Sequence, residues 1–124
     1  MDTPVYILIV DDDPGYRKTL HDILKLKGYA PTSFASGVEA LRDGISAAPA
    51  VALIDLTLKD MPGLEVMKTI KTHFPSTACI VFTGYPLPDL ASQAMKQGAH
   101  SFVYKPFEID DLLQLINQVI EQRA

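Results

Sequence analysis

The chain has 124 residues and a net charge of −4, so it can form one domain with a substantial hydrophobic core. Its Lys and Arg residues are not clustered, which excludes direct nucleic-acid binding by this chain, and its single cysteine, Cys79, excludes a disulfide framework. The apolar run near the N-terminus is too short for a signal peptide or a membrane span, so we expect a cytoplasmic protein without a membrane anchor.

Five short apolar runs, separated by longer amphipathic segments, predict five β-strands in chain order. The predicted strands are Val5–Val10, Ala30–Phe34, Ala50–Ile54, Cys79–Phe82 and Ser101–Tyr104. Runs rich in Val and Ile, such as the first, are typical of strands that are covered on both faces in a parallel sheet. The second run is the least apolar of the five.

Each predicted strand is followed by a segment whose apolar residues recur at helical spacing. In chain order, the predicted buried faces are Tyr16, Leu20, Ile23 and Leu24; Val38, Leu41 and Ile45; Leu64, Met67, Ile70 and Phe74; Leu90, Ala94 and Met95; and Ile109, Leu112, Leu113, Ile116 and Ile120. Repeated β-α units require right-handed crossovers and place helices on both faces of a parallel sheet. We therefore predict one doubly wound α/β domain.

The predicted helix ends carry residues that commonly cap helices. Asp13 precedes Pro14, as an N-cap residue precedes proline at the first helical position. Gly28 and Gly98 stand where the first and fourth helices should end. Two prolines in the segment Tyr85–Pro88 should delay the start of the fourth helix.

Polar residues follow the predicted strands, and a parallel sheet brings such residues to one edge. Asp11 and Asp12 follow the first strand, Asp55 the third, Thr83 the fourth and Lys105 the fifth. Open α/β sheets bind ligands at this edge. Clustered carboxylates repel one another unless a cation joins them, so the three acids indicate a site for a hard metal ion such as Mg²⁺.

Asp55 can act in this crevice as a metal ligand, as a general base, or as a nucleophile that attacks phosphorus to form a mixed anhydride. In the last case the metal would neutralise charge on the phosphoryl oxygens. Lys105 would supply a further positive charge, and the Thr83 hydroxyl or the backbone N–H near Gly84 would donate hydrogen bonds. Asp13, in contrast, is assigned to the cap of the first helix.

Four segments of the chain, in this order and spacing, are similar to those of one family. They are Ile9–Asp13, Leu53–Leu56, Phe82–Gly84 and Gly98–Phe107. Together they resemble the receiver domain of bacterial two-component response regulators, in particular receivers attached to transcriptional regulators. The resemblance covers residues 1–124 and implies a five-stranded (βα)5 fold with strand order 2-1-3-4-5.

The resemblance implies a role for each residue of the crevice. Asp55 would be the phosphoacceptor, and Asp11 and Asp12 the acidic pair that binds Mg²⁺ together with Asp55. The backbone carbonyl of Thr57 would be a further metal ligand, and Lys105 would contact the phosphoryl group. The donor would be a sensor histidine kinase or a histidine phosphotransfer protein. The chain would not be an enzyme beyond catalysing its own phosphoryl transfer and dephosphorylation.

Two side chains would transmit phosphorylation to the surface. By resemblance, Thr83 is the switch hydroxyl that moves toward the phosphoryl group, and Phe102 is the switch aromatic residue. The face formed by the fourth helix, the fifth strand and the fifth helix would change, and the same face is the candidate surface for a homodimer. A transcriptional effector outside this chain would receive the signal. The peptide bond between Lys105 and Pro106 is expected to be cis.

Departures from the family pattern fall around the crevice. Receivers often place proline four residues after the phosphoacceptor, where this chain has Lys59, and here Pro62 precedes the expected Gly63. This change affects the conformation of the loop rather than the chemistry of the site. Thr57 and Tyr85 occupy positions that, in the family, influence the lifetime of the phosphoryl group.

Three other functions remain open from the sequence. A haloacid dehalogenase-like aspartyl phosphohydrolase also uses a strand-end aspartate and Mg²⁺, but it places a second aspartate where this chain has Thr57. A flavodoxin-like module needs a phosphate-binding loop rich in Ser, Thr and Gly after the first strand, where this chain has three aspartates. A receiver-like scaffold that is never phosphorylated would not need the complete set of site residues.

Overall fold

Strands and helices alternate five times along the residues that the computed structural model describes, 4–85 and 87–123. The strands are β1 (Tyr6–Val10), β2 (Ala30–Phe34), β3 (Val51–Asp55), β4 (Ala78–Thr83) and β5 (Ser101–Tyr104). The helices are α1 (Pro14–Leu26), α2 (Gly37–Asp43), α3 (Gly63–His73), α4 (Pro88–Lys96) and α5 (Ile109–Arg123). None of these helices is long and apolar enough to cross a membrane.

All strand pairs are parallel, in the order β2-β1-β3-β4-β5, which confirms the predicted fold class and strand order. The connection after β1 runs to one side of the sheet, toward β2, and the connection after β3 runs to the other side, toward β4. A crevice opens where strand connections diverge in this way. Asp11 and Asp55 therefore come to the carboxyl ends of adjacent strands.

The strand bounds differ by one residue from several of those predicted. β2 and β5 have the predicted bounds, β1 begins at Tyr6, and β3 and β4 extend to Asp55 and Thr83. The extensions follow the register of the sheet, in which Asp55 lies opposite Phe82 and Thr83 lies opposite Tyr104. The sheet itself therefore fixes the backbone of both polar residues.

Alternate residues of the central strands divide the core into two layers. The layer beneath α2, α3 and α4 receives Leu8, Val10, Ala52, Ile54, Cys79 and Val81. The layer beneath α1 and α5 receives Ile7, Ile9, Val51, Leu53, Ile80 and Phe82. All of these side chains are fully buried, so the sheet is covered on both faces, as the apolar runs predict.

The predicted caps of α1 are present. The Asp13 carboxylate accepts hydrogen bonds from the N–H groups of Gly15 at 2.9 Å and Tyr16 at 3.2 Å, which confirms its assignment as a cap. Gly28 follows the helix with a φ of 92°, and Gly98 follows α4 with a φ of 109°. Glycine adopts this conformation without a Cβ clash, so both residues end their helices as predicted.

Helices α2 and α4 each expose one residue of the face that was predicted to be buried. α4 begins at Pro88, in agreement with a delayed start, and Pro86 lies outside the described residues. The prediction of burial is wrong for Val38 and Met95, which are 56% and 47% exposed. Both helices approach the sheet through a small buried residue, Ala40 in α2 and Ala94 in α4. Successive residues of a helix point in directions that differ by about 100°. Val38 and Met95 therefore point away from the core, although the rest of each predicted face packs against it.

The first turn of α3 packs on the end of β3, and this contact requires glycine. A Cβ on Gly63 would lie 2.2 Å from the backbone oxygen of Asp55 and 2.5 Å from the Cα of Leu56. The Gly63 N–H also donates to the carbonyl of Leu56 at 3.1 Å. Because the crowded atoms belong to the backbone, no side-chain rotation can relieve the clash. α3 thus sets the position of the strand end that carries Asp55.

We predict that Gly63→Ala lowers the free energy of unfolding by at least about 2 kcal/mol, because α3 and β3 must move apart. Urea unfolding followed by circular dichroism measures the loss. Gly84→Ala is the matched control, since a Cβ on Gly84 meets no atom within 4 Å. The control should change the free energy by less than about 0.5 kcal/mol. Equal losses in the two variants would contradict the role assigned to Gly63.

Candidate functional site

Carboxylates from the ends of β1 and β3 converge in a crevice at the carboxyl edge of the sheet. One oxygen from each of Asp11, Asp12 and Asp55 lies within 4.8 Å of the other two. Asp11 is 0% exposed and Asp55 is 4% exposed. The crevice has a volume of about 520 Å³, and Gly84 and Tyr85 are among the residues that line it. Three anionic oxygens this close together repel one another, so the crevice favours a bound cation.

Lys105, directly after β5, lies among these carboxylates. Its Nζ is 2.8 Å from Oδ2 of Asp11 and 3.0 Å from Oδ2 of Asp55. Burial alone would lower the pKa of Lys105, but its hydrogen bonds to the two carboxylates outweigh burial and raise the pKa above its ordinary value. Burial raises the pKa of Asp11, and the contacts with Lys105 offset this rise only in part. One ammonium group thus balances part of the charge of three carboxylates.

The two oxygens of Asp55 have different partners. Oδ1 accepts hydrogen bonds from the N–H and the hydroxyl of Thr57, both at 2.8 Å, and Oδ2 accepts one from Lys105. The Thr83 hydroxyl lies 3.4 Å from the Thr57 hydroxyl and accepts the N–H of Tyr85 at 3.2 Å. Thr83 is therefore connected to Asp55 through Thr57. These contacts hold the Asp55 carboxylate in one orientation.

Lys59, which stands where the family often has proline, contributes to the crevice through its backbone. Its N–H donates to Oδ2 of Asp12 at 2.9 Å. A proline at this position would have no N–H to donate. The displaced proline, Pro62, is the N-cap residue of α3, and its carbonyl accepts the N–H of Glu65 at 3.0 Å. The departure therefore leaves an ordered loop and adds a donor to the acidic pair.

Asp60 anchors the same loop to the start of α2. Its carboxylate oxygens accept the N–H groups of Gly37 at 3.0 Å and Val38 at 2.9 Å. Slight burial would raise the pKa of Asp60, but the backbone N–H groups outweigh burial and hold the pKa below its ordinary value. The loop between β3 and α3 is thus bonded to Asp12 on one side and to α2 on the other.

The two residues expected to form the switch lie on neighbouring strands. Thr83 ends β4, and Phe102 lies on β5 opposite Val81. Phe102 is partly buried against the layer beneath α2, α3 and α4, and its ring contacts Tyr104 with a centroid separation of 4.9 Å. Phe102 therefore lies outside the crevice that contains the other predicted residues. The Lys105–Pro106 peptide bond is cis, as the resemblance implies.

Three contributions from the loop after β3 are absent from the sequence-based prediction: the Thr57 hydroxyl, the Lys59 N–H and the Asp60 carboxylate. The first has a local signal, because a threonine two residues after an aspartate can donate back to it. The second has none, since every residue except proline carries an N–H group. Asp60 bonds to residues that are 23 and 22 positions away in the chain, which no local pattern indicates.

Comparisons with known proteins agree with the geometry. The family model described as response regulator receiver domain matches residues 7–117. The chain is 35% identical over 114 residues to the DNA-binding transcriptional regulator NtrC of Escherichia coli (strain K12). It is 36% identical over 118 residues to the C4-dicarboxylate transport transcriptional regulatory protein DctD of Rhizobium meliloti (strain 1021).

The alignments cover most of this chain but only a small part of each relative. The alignments cover 92% and 94% of this chain but 24% and 25% of the relatives, so the chain spans about a quarter of their length. A solved structure, that of a response regulator receiver domain protein (CheY-like) from Methanospirillum hungatei JF-1, covers 98% of both chains with a TM-score of 0.91 and 30% identity. The similarity is thus complete for this domain and partial for the longer relatives.

We predict that Asp60→Ala lowers the free energy of unfolding by about 1 kcal/mol at pH 7, because the first turn of α2 loses a capping carboxylate. The pKa of Asp60 is lowered in the folded chain, so this contribution is present above the unfolded pKa and is lost as the pH falls through the lower folded pKa. Urea unfolding at neutral and acidic pH measures the difference. Asp43→Ala, which removes a solvent-exposed ion pair with Arg42, is the matched control and should change the stability much less than Asp60→Ala does. A loss that does not depend on pH would contradict the prediction.

Proposed function

The chain belongs to the family of response regulator receiver domains, and we propose that it is a phosphorylation-controlled signalling module whose phosphoacceptor is Asp55. The observation that carries this proposal is the surroundings of Asp55. Its carboxylate ends a buried strand beside the acidic pair Asp11 and Asp12, and it is 3.0 Å from the ammonium group of Lys105. A nucleophile for phosphorus, a cation site and a fixed positive charge therefore share one crevice.

In the proposed reaction, a carboxylate oxygen of Asp55 attacks the phosphorus atom of a phosphohistidine on the donor protein. A mixed anhydride forms, the bond between phosphorus and the histidine nitrogen breaks, and that nitrogen leaves with the bonding electron pair. The Lys105 ammonium group and the Thr83 hydroxyl would bond to the phosphoryl oxygens, where negative charge develops. Thr57 would hold the second oxygen of Asp55 during the attack, as its 2.8 Å hydrogen bonds support.

Mg²⁺ is the proposed cofactor, held by Asp11, Asp12, Asp55 and the backbone carbonyl of Thr57. The donor set supports this assignment, because three carboxylate oxygens within 4.8 Å of one another are hard ligands of the kind that Mg²⁺ binds. When bound, Mg²⁺ neutralises negative charge on the phosphoryl oxygens. Asp13 is left out of the set, since its carboxylate caps α1.

The proposed output surface is the face formed by α4, β5 and α5. Thr83 would move toward the phosphoryl group, and the side chain of Phe102 would follow. Apolar side chains on this face support a role in docking: Leu87, Met95 and Tyr104 are 40%, 47% and 45% exposed. Such side chains gain from burial against an effector or against a second copy of the chain in a homodimer.

The proposed partners follow from the family and from the relatives. A sensor histidine kinase or a histidine phosphotransfer protein would donate the phosphoryl group, in the cytoplasm. The receiver domain would occupy residues 1–124, and a transcriptional effector outside this chain would receive the signal, as the transcriptional relatives suggest. The chain itself would not bind nucleic acid or act as an enzyme beyond its own phosphoryl transfer and dephosphorylation.

The alternative of an aspartyl phosphohydrolase of the haloacid dehalogenase type receives no support. The family match is to receiver domains, and Thr57 occupies the position where such an enzyme has its general acid. The Thr57 hydroxyl donates to Asp55 and cannot supply a carboxylic acid proton. A flavin phosphate is equally disfavoured, because Asp11 and Asp12 would repel it at the end of β1.

We predict that Mg²⁺ stabilises the chain and that Asp12→Asn removes this effect. At a Mg²⁺ concentration ten times the dissociation constant, the gain in unfolding free energy is about 1.4 kcal/mol. Thermal unfolding with and without Mg²⁺ measures it. Asp13→Asn is the matched control, because asparagine also caps helices and the metal-dependent gain should persist. Loss of the gain in the Asp13 variant would place the metal elsewhere in the acidic cluster.

We predict that Asp55→Asn abolishes phosphorylation of the chain by acetyl phosphate with Mg²⁺ present, because the amide is not a nucleophile for phosphorus. Intact mass spectrometry detects the added phosphoryl group in the wild-type chain. Asp43→Asn, a substitution of an exposed aspartate at the C-terminal end of α2, should leave labelling unchanged. Labelling of the Asp55 variant to the wild-type level would refute the proposed phosphoacceptor.

A further inference from the structure

The ammonium group of Lys105 lies against two aromatic rings as well as two carboxylates. Its Nζ is 4.4 Å from the centroid of the Tyr16 ring and 5.2 Å from that of Phe82. Both distances fall in the range of cation–π attraction. Tyr16 belongs to α1 and lines the crevice, and the Lys105 side chain is only 10% exposed. A contact this well shielded from water is stronger than one on the surface.

A third ring, that of Phe107, fixes the position of Tyr16. The centroid of the Phe107 ring is 5.6 Å from that of Tyr16 and 5.7 Å from that of Phe82. Phe82 is fully buried in β4, so the three rings connect α1 to the sheet. The face of Tyr16 is therefore held over Lys105 by packing, without help from the carboxylates.

The carboxylates and the rings can hold Lys105 under different conditions. In the proposed function, Asp11 and Asp55 are metal ligands. Carboxylate oxygens that bind a metal ion are less available for hydrogen bonds with Lys105. A divalent cation also repels a nearby ammonium group. An aromatic face is not a ligand for Mg²⁺, which prefers oxygen, so the contact with Tyr16 does not compete with the metal.

We propose that Tyr16 is a positioning residue, which keeps the Lys105 ammonium group directed into the crevice when a metal ion engages the carboxylates. This inference rests on the proposed function. The competing explanation is that Tyr16 only fills the space between α1 and Phe107. The two roles make different demands, because filling space requires apolar volume, whereas holding a cation requires a π face.

Two substitutions separate these roles. Tyr16→Phe keeps the ring face, and Tyr16→Leu replaces it with an apolar side chain. With acetyl phosphate as the phosphoryl donor and saturating Mg²⁺, we expect the rate constant of phosphorylation to fall about fivefold in the Leu variant. In the Phe variant it should stay within about twofold of wild type. In a Lys105→Ala background, Tyr16→Leu should cause no further loss, since the cation is already absent.

A second measurement does not depend on phosphoryl transfer. In NMR spectra recorded with Mg²⁺, the Lys105 protons next to Nζ should be shifted upfield in the wild-type chain, because they lie over the Tyr16 ring. The shift should persist in Tyr16→Phe and become smaller in Tyr16→Leu, which leaves only the more distant Phe82 ring. Thermal unfolding of each variant verifies that the chain remains folded.

The outcomes distinguish this proposal from the proposed function. The proposal would be overturned if Tyr16→Leu slowed phosphorylation equally in the wild-type and the Lys105→Ala backgrounds. An unchanged Lys105 resonance in the Leu variant would also overturn it. If the wild-type chain accepted no phosphoryl group, the proposed function would fail. The NMR shift would then still decide whether Tyr16 holds Lys105 beside the bound metal ion.

Discussion

An excess of negative charge at one edge of the sheet governs the candidate site, because three carboxylates face a single ammonium group. Lys105 bonds to Asp11 and Asp55, and these contacts raise its pKa, whereas burial is the main cause of the raised pKa of Asp11. The parallel topology imposes this surplus, since it brings the ends of β1, β3 and β5 together. The fold therefore creates a demand for positive charge that a divalent cation can meet.

Backbone donors keep the three carboxylates in place despite their repulsion. Asp11 accepts the N–H of Asp13 at 2.9 Å, Asp12 that of Lys59 at 2.9 Å, and Asp55 that of Thr57 at 2.8 Å. A backbone N–H cannot rotate away as a side chain can, so each acid is oriented before any ligand arrives. Precise placement of the loop after β3 is thus a condition for the site, and the close packing of α3 on β3 supplies it.

The parts of this structure that the sequence predicts are those with a local pattern. The residues that follow the predicted strands are the polar residues found in the crevice. The least apolar run also forms a strand, β2, because an edge strand needs less burial and tolerates Pro31. Burial is mispredicted where a small residue faces the core, as Ala40 does in place of Val38. The N–H of Lys59 and the ring of Tyr16 join residues distant in the chain, and only the folded backbone brings them to the carboxylates and to Lys105.

The Thr83 hydroxyl connects the crevice to the segment that leads into α4. It lies between the Thr57 hydroxyl, at 3.4 Å, and the N–H of Tyr85, which it accepts at 3.2 Å. A phosphoryl group on Asp55 would bring strong acceptor oxygens close to this hydroxyl, which has a single proton to donate. Movement of Thr83 toward those oxygens would lengthen its hydrogen bond with the N–H of Tyr85 and release the backbone of Tyr85 from the end of β4. Because exposed Leu87 lies in that segment, a charge added in the crevice would reach the proposed output face through this backbone as well as through Phe102.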